Sequence, residues 1–543
     1  MRNNPNLLLI IPKYTLTTKK NYDYWVPIGF GYVLSILRKN GYDFDCLNLN
    51  HLDGVLKDNI KNYLEKKKYD FIITGGMAID YDSIKIIIDA VGEHKTKPKV
   101  ILGGMIITPE PKVIFEALRP DFGLIGEAEE TIIELLNCLK SQKDLSKIDG
   151  LIYRQNNKLF INKKRVPKAS LDSIPFPDFE SMGYNEFLKN CYPSLSCFYS
   201  IIDNPRVYSI LGSRSCPFQC TFCYHYNNYR ERSIKNIMKE VEFAVKRYDA
   251  NLIMFFDECL SVTKERLFDF CDKIIELKNK LGRDLKWYAA LRVDAVDEPV
   301  LKKMKEAGCF MVGYGLESYN LSVLNSMNKK ITPEQIDKAL KMTMANKIAV
   351  QGSFIFGDIV ENLDTANETL EYWKNNCKGQ LHLTFIRPFP NSKIYQYCLE
   401  KGIIRDKLAF MKNLNDITDV YENMTSLNDK DFLSLRKKVL EYLEKYRVVV
   451  SPLSMEKNGD TYSLKAKCPF CGEINKYSNF KIDKKFFFGF MVLCRSCLLR
   501  YYIFSRIKGF LFKHYSITKD LRDKRDKIIR NFREIKQKIL SIH

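Results

Sequence analysis

Along the first third of the chain, short apolar runs alternate with stretches whose apolar positions recur every three or four residues. NLLLIIP, DFDCLNLN, DFIITGG, KVILGG and FGLIGEAEE read as strands, and GFGYVLSILRKNG is the first of the helical patterns between them. Continuous apolar strands alternating with amphipathic helices predict a parallel, doubly wound sheet over residues 1–148. Ligands of such sheets lie at the carboxyl ends of the strands. Gly75 and Gly76, Gly103 and Gly104, and Gly126 with Glu127 all fall there. Glycine lets backbone approach a bulky ligand without a side chain in the way, and it also serves a tight strand-to-helix turn, so both readings stand at this point.

The pattern breaks at GLIYRQNNKLFINKKR and SIPFPDF, which predict a hairpin and a proline-punctuated bridge over 149–204. A second alternation follows, with strands at RVYSIL, NLIMFFDE, KWYAALR, CFMVGYGLE, AVQGSFIFG and LHLTFIRP. These strand-helix units predict a partial (β/α)6 barrel over 205–400, with its functional groups at the carboxyl rim. Asp257, Glu258, Arg292, Glu317, Ser318, Gly357 and Arg387 occupy that rim. A helical connector over 401–458, a cysteine-bearing module over 459–500 and a basic amphipathic helix over 501–543 complete an α/β chain.

Composition narrows the classes. With 543 residues the chain has room for several domains, and Lys plus Arg outnumber Asp plus Glu by 86 to 65, a formal charge of +21. The lysines are scattered rather than striped, which favours solvated basic faces over a nucleic-acid surface and leaves an anionic membrane or polyanion as the alternative. The apolar runs at MRNNPNLLLIIPKY and FFFGFMVL are too short for a signal core or a membrane span, so a cytoplasmic protein is expected. Sixteen cysteines in a reducing compartment indicate metal ligands and buried thiols rather than a disulfide framework.

The most informative stretch is SRSCPFQCTFCYH, which places Cys216, Cys220 and Cys223 within eight residues. A closed zinc site needs four ligands. Three thiolates instead suit a cluster of four irons and four sulfides whose fourth iron stays open.

The spacing Cys-x-x-x-Cys-x-x-Cys, with Phe222 before the last cysteine, resembles the signature of the radical S-adenosylmethionine superfamily. PIGFGYVLSILRKNGYDFDCLNLN, VILGGMIITPEP and GLIGEAEETIIELL resemble the cobalamin-binding domain at the front of many such enzymes, and NYRERS resembles the cobalamin-dependent class. The resemblance implies a [4Fe-4S] cluster on the three cysteines, S-adenosylmethionine on its open iron, and cobalamin on the glycine-rich rim with Glu127. It also implies a one-electron reductant such as flavodoxin or ferredoxin. Relatives of the front domain often carry Asp-x-His-x-x-G after the first strand; residues 12–27 hold no histidine, and His51 in LNHLDG follows the second strand, so it reads as an ordinary surface or core residue.

The resemblance places FFDE, with Asp257 and Glu258, where relatives cradle the methionine amine, although Asp257 suits strand-end capping equally. Arg292 suits the methionine carboxylate, which a guanidinium can grip bidentately, or else a rim salt bridge, and Glu317 in YGLES, followed by Ser318, resembles the family's glutamate near the adenosine ribose. FIFGDIVE keeps Gly357 and Glu361 of the family's Gly-Pro-Gly-Glu-Thr-like loop but has Ile359 and Val360 for its proline and glycine. RPFPNSKIY resembles the proline-rich segment after the sixth strand.

Cys468, Cys471, Cys494 and Cys497 form two Cys-x-x-Cys knuckles, which favour a zinc ribbon, with an auxiliary iron–sulfur cluster or free thiols as alternatives. The expected activity is methyl transfer to an unactivated carbon of a small-molecule or lipid substrate, by way of a 5′-deoxyadenosyl radical and methylcobalamin. A radical cyclase or rearrangement enzyme is the second reading, and a redox-sensing nucleic-acid-binding protein the third. Peripheral membrane contact through the basic tail is compatible with each, and the sequence is silent on oligomeric state.

Overall fold

The computed structural model describes residues 4–414, 422–482 and 489–504, which form two compact units. The first comprises 4–191, 205–369 and 383–435; the second comprises 192–204, 370–382 and the described part of 436–504. The basic helix expected over 501–543 lies, from residue 505 onward, outside the described residues.

The first unit opens with a seven-stranded sheet: β1 Leu7–Ile11, β2 Phe44–Asn48, β3 Phe71–Gly75, β4 Lys99–Gly103, β5 Phe122–Leu124, β6 Leu151–Gln155 and β7 Lys158–Ile161, in the order β2-β1-β3-β4-β5-β6-β7. The first five strands are parallel, and every residue of β1 is fully buried, as expected of a central strand covered on both faces. The order reverses between β2-β1 and β3, which puts the switch point at the loops following β1 and β3. The segment 149–204 does not act wholly as a bridge. Its hairpin extends the front sheet, with Leu151 of β6 pairing antiparallel to Leu124 of β5, and Asn156 and Asn157 close the turn with φ of 48° and 61°. Asparagine tolerates this left-handed backbone, so the turn forms without glycine.

The second sheet of this unit has β8 Val207–Ile210, β11 Leu252–Phe255, β12 Lys286–Leu291, β13 Cys309–Glu317, β14 Ala349–Phe356 and β15 His382–Phe385, in the order β15-β14-β13-β12-β11-β8. Between β8 and β11 a small ribbon pairs β9 Ser213–Arg214 with β10 Arg230–Glu231. Each large strand neighbours the next in sequence, with helices between, which is the expected partial barrel. Polar caps start those helices where the strand loops end: Ser233, Thr263, Asp297 and Thr332 each accept a backbone N–H of the first turn. One hydrophobic core joins the two sheets, since Ile106 and Ile107 of the front domain share a cluster with Val323, Met327, Ile386 and Tyr395. The connector expected over 401–458 begins inside this unit, where Lys407 pairs with Glu110 at 2.7 Å.

In the second unit, β16 Val449–Val450, β20 Phe490–Leu493 and β21 Arg500–Ile503 form one sheet. Strands β17 Ser454–Asn458, β18 Thr461–Lys467 and β19 Ile474–Phe480 form another. Leu464, Tyr477, Phe480, Val492 and Tyr501 fill its core. The module is therefore wider than 459–500, because β17 and the end of β21 lie beyond those bounds. Among the described residues no helix is long and apolar enough to cross a membrane.

Candidate functional site

The three cysteines ride on the loop between β9 and β10, so the two-stranded ribbon is the neck of the loop. Its register sets Arg214 directly opposite Arg230. Like charges facing each other across a ribbon repel. Glu127, just past β5, resolves the conflict by accepting from Arg214 Nη1 at 2.6 Å and from Arg230 Nη2, while Glu129 takes Arg214 Nη2 at 2.5 Å. Burial alone would raise the Glu127 carboxyl, but Arg214 and Arg230 more than offset it and hold the pKa below its usual value. Gly126 is the second element of the joint: with φ of +83°, a Cβ there would stand 2.2 Å from the Tyr226 ring.

Within the loop, Thr221 N donates to Met327 O at 3.0 Å, Ile394 N donates to Thr221 O at 3.1 Å, and Asn328 Nδ2 donates to Gln219 O at 2.7 Å. Cys220 is buried and Cys216 and Cys223 are half-buried. Burial raises the pKa of all three thiols, that of Cys223 to about 12. Cys259 lies nearby, and its Sγ donates to Ser261 O at 3.1 Å. The donor set of three cysteines fits an iron–sulfur cluster with an open iron.

The rim residues separate into two groups. Asp257 is buried and accepts from Gly212 N at 3.0 Å and Ser213 Oγ at 2.6 Å, so it ties the end of β11 to the start of the neck. Burial raises its pKa to about 6. Ser318 bonds Thr369 Oγ1 at 3.2 Å and receives Asn320 N. Gly357 N donates to Glu361, and Arg387 donates to the carbonyls of Asn413 and Leu414. These four side chains or backbones are engaged in building the rim.

The other group surrounds the cysteines. Glu258 is exposed and lies 2.9 Å from His225 Nδ1, and the ligand atoms of both are within 4.8 Å of the Cys216 thiol. Arg292 forks onto Asp294 with two bonds of 2.9 Å, donates to the carbonyls of Lys329 and Lys330, and covers the Phe218 ring at 3.8 Å. Glu317 stands at a break in the β13–β14 register with φ of 65°, and its Oε1 accepts from Lys329 Nζ at 2.7 Å. Gly315 makes room for that pair, because a Cβ there would be 2.6 Å from each of its charged atoms. Lys329, Glu317 and Arg292 all act electrostatically on Cys220. Sequence reading missed His225, Lys329 and the Arg214/Arg230 neck. His225 had a signal, being two residues past the third cysteine; Lys329 had none among so many lysines.

At the front-domain rim, the Gly75 and Gly103 backbones meet so closely that a Cβ on Gly75 would lie 2.2 Å from Gly103 O, and one on Gly104 would lie 2.7 Å from Gly76 O. Gly75 and Gly104 are thus already required by the strands themselves. Beside them Trp25, Met77 and Ile79 are exposed apolar side chains from the loops flanking the switch point, and Trp25 meets Phe256 of the barrel rim edge-on at 4.9 Å. A bare glycine edge bordered by exposed apolar groups fits a large flat ligand such as cobalamin. His51 is engaged elsewhere, with Nε2 2.8 Å from Tyr24 Oη and burial lowering its pKa to about 4.

Comparison with known proteins agrees with this architecture. Residues 210–372 match the radical SAM superfamily and residues 15–136 match the B12 binding domain. The chain is similar to an uncharacterized methyltransferase of Pyrococcus horikoshii, 26% identical over 70% of this chain and 79% of that protein. It is also similar to the anaerobic magnesium-protoporphyrin IX monomethyl ester cyclase of Rubrivivax gelatinosus, 25% identical over 74% of this chain and 71% of that one. Among solved structures, the radical S-adenosylmethionine methyltransferase TsrM of Kitasatospora setae, with cobalamin and a [4Fe-4S] cluster bound, superposes with a TM-score of 0.59. That match is 16% identical and covers 74% of this chain and 75% of that one, a likeness of fold.

Two measurements test the geometry. Glu127→Gln removes the charge between two largely buried arginines, which costs about 2–4 kcal/mol after allowance for its partial exposure. A lowered unfolding midpoint of the first unit with reduced iron retention is expected; wild-type values for both contradict the joint. Glu361 is buried at the end of β14, and burial pushes its pKa from 4.5 up to about 8. The folded state therefore keeps a proton that the unfolded state releases, and stability falls as pH rises between those values, by at most about 1.4 kcal/mol per pH unit. Denaturant unfolding at about pH 5 and about pH 8 should show a smaller loss in Glu361→Gln than in wild type; equal losses contradict the assignment.

Proposed function

Because this chain is a radical SAM protein with a B12-binding domain in front of its barrel, we propose that it is a cobalamin-dependent methyltransferase acting on an unactivated carbon of a small molecule. The observation that carries this reading is the joint between the rims: Glu127 and Gly126, at the carboxyl end of the front sheet, touch the neck and loop that bear the three cysteines. Two cofactors held at these rims would be neighbours in one compact unit.

Cys216, Cys220 and Cys223 would hold the cluster, and the glycine edge at Gly75, Gly76, Gly103 and Gly104, with Trp25, Met77 and Ile79, would hold cobalamin. When bound, the cluster with S-adenosylmethionine supplies a deoxyadenosyl radical and cobalamin supplies a methyl group. The chain's own share is placement and exclusion of water. Lys329 and Arg292 bring positive charge to the buried face of Cys220, and Glu258 with His225 presents a carboxylate and an imidazole beside Cys216, a pair suited to the amine of a bound amino acid. Glu317, fixed by Lys329, would face the nucleoside. Asp257, Ser318 and Gly357 would act by holding the rim, since their polar atoms are already engaged by protein.

A reductant such as flavodoxin or ferredoxin would feed the cluster, and a cytoplasmic location would keep the cysteines reduced. Two of the three relatives described above are named methyltransferases. The cyclase among them supports a second reading, a cobalamin-dependent radical reaction without methyl transfer.

The test is anaerobic reconstitution with iron, sulfide and cobalamin, then reductant, S-adenosylmethionine and host-cell extract. Deoxyadenosine and S-adenosylhomocysteine should rise together and depend on extract; deoxyadenosine alone contradicts methyl transfer and favours the second reading. Cys220→Ala should lose the cluster's iron and all deoxyadenosine formation. Retained turnover in that variant contradicts the assignment of the loop.

A further inference from the structure

The second unit contains a chemistry that neither matched domain covers. Its two cysteine knuckles come from different sheets: Cys468 and Cys471 follow β18, and Cys494 and Cys497 follow β20. Folding brings all four thiols within 4.8 Å of one another. Cys468 Sγ lies 3.8 Å from Cys497 Sγ, and Cys471 Sγ lies 3.7 Å from Cys494 Sγ. A tetrahedron with metal–sulfur bonds of about 2.3 Å has an edge of about 3.8 Å, so the sulfurs already sit at the separation a single ion imposes. A cluster of several irons and sulfides would force its thiolates farther apart, which the compact quartet does not accommodate.

The surrounding donors point the same way. Phe470 N donates to Cys468 Sγ at 3.4 Å, and Ser496 N and Cys497 N donate to Cys494 Sγ at 3.4 and 3.5 Å. Asn475 is buried; its Oδ1 accepts from Arg495 N at 2.7 Å, which turns its Nδ2 toward Cys494 Sγ at 3.4 Å. Several N–H groups converging on sulfur are the environment of thiolates bound to a metal rather than of free thiols.

The second knuckle also grips another part of its unit. Arg495, between Cys494 and Cys497, donates to Asp203 Oδ1 at 2.7 Å and to Ser200 O at 3.2 Å, and Leu493 N donates to Ser200 Oγ at 2.9 Å. We infer that Cys468, Cys471, Cys494 and Cys497 bind one tetrahedral zinc ion, and that this ion fastens the segment Tyr192–Asn204 into the second unit by fixing the Cys494–Cys497 knuckle. With four protein ligands the site is closed, so its role is structural and it offers no position to substrate.

The test uses the full chain with Cys216, Cys220 and Cys223 all changed to alanine, so that iron at the other cysteines does not enter the count. Metal analysis should find about one equivalent of zinc in this protein, and adding Cys471→Ser, at the exposed ligand, should lower it at least tenfold. Stripping the zinc with a chelator should speed protease cleavage within 192–204 several-fold, and zinc alone, added back, should restore resistance even if the serine variant folds poorly. Iron in place of zinc, no bound metal, or zinc that survives Cys471→Ser overturns the site. Cleavage indifferent to zinc overturns the fastening.

Discussion

Two arginines face each other across a ribbon two residues long, and Glu127, with Glu129 beside it, supplies the carboxylates that offset their repulsion. Both arginines of the neck of the cysteine loop pair with a carboxylate of the front domain. The arrangement makes the cysteine loop a property of both sheets rather than of the barrel alone. Gly126 enforces the same dependence sterically, since any side chain there would displace Tyr226. A single hydrophobic core beneath the joint, running from Ile106 and Ile107 to Met327 and Tyr395, resists separation of the sheets.

Buried charge at the barrel rim is handled in two ways. Where a cation is at hand, as Lys329 is for Glu317, the carboxylate stays paired and is aimed by a break in the strand register. For Asp257 and Glu361, burial drives the carboxyl toward its neutral form while hydrogen-bond donors, the Ser213 hydroxyl for the first and the Gly357 N–H for the second, pull the other way.

Strands and helices of the first unit were legible because buried parallel strands read as unbroken apolar runs, as LLLII of β1 does. The cysteine loop was legible because its three cysteines are local in sequence. Glu127 was visible only as a rim residue, since its partners lie 87 and 103 positions away and nothing local announces a long-range ion pair. The hairpin of 151–161 was recognised as a hairpin but not as part of the front sheet, because a turn reveals its two strands and not the strand they join. The rim glycines suggested a ligand, yet Gly75 and Gly104 are already required by backbone contact between neighbouring strands. The converse holds for Cys468 to Cys497: their spacing favours zinc with a cluster as the alternative, and the sulfur separations of 3.8 and 3.7 Å add an observation that suits a single ion.

The central claim is that the loop closed by Glu127 presents three thiolates and leaves one iron of its cluster free for S-adenosylmethionine. Electron paramagnetic resonance of the anaerobically reduced protein, recorded with and without S-adenosylmethionine, addresses it directly. The account requires the signal of the reduced cluster to shift when S-adenosylmethionine is added; an identical signal in both samples, with the cluster fully loaded, would contradict it.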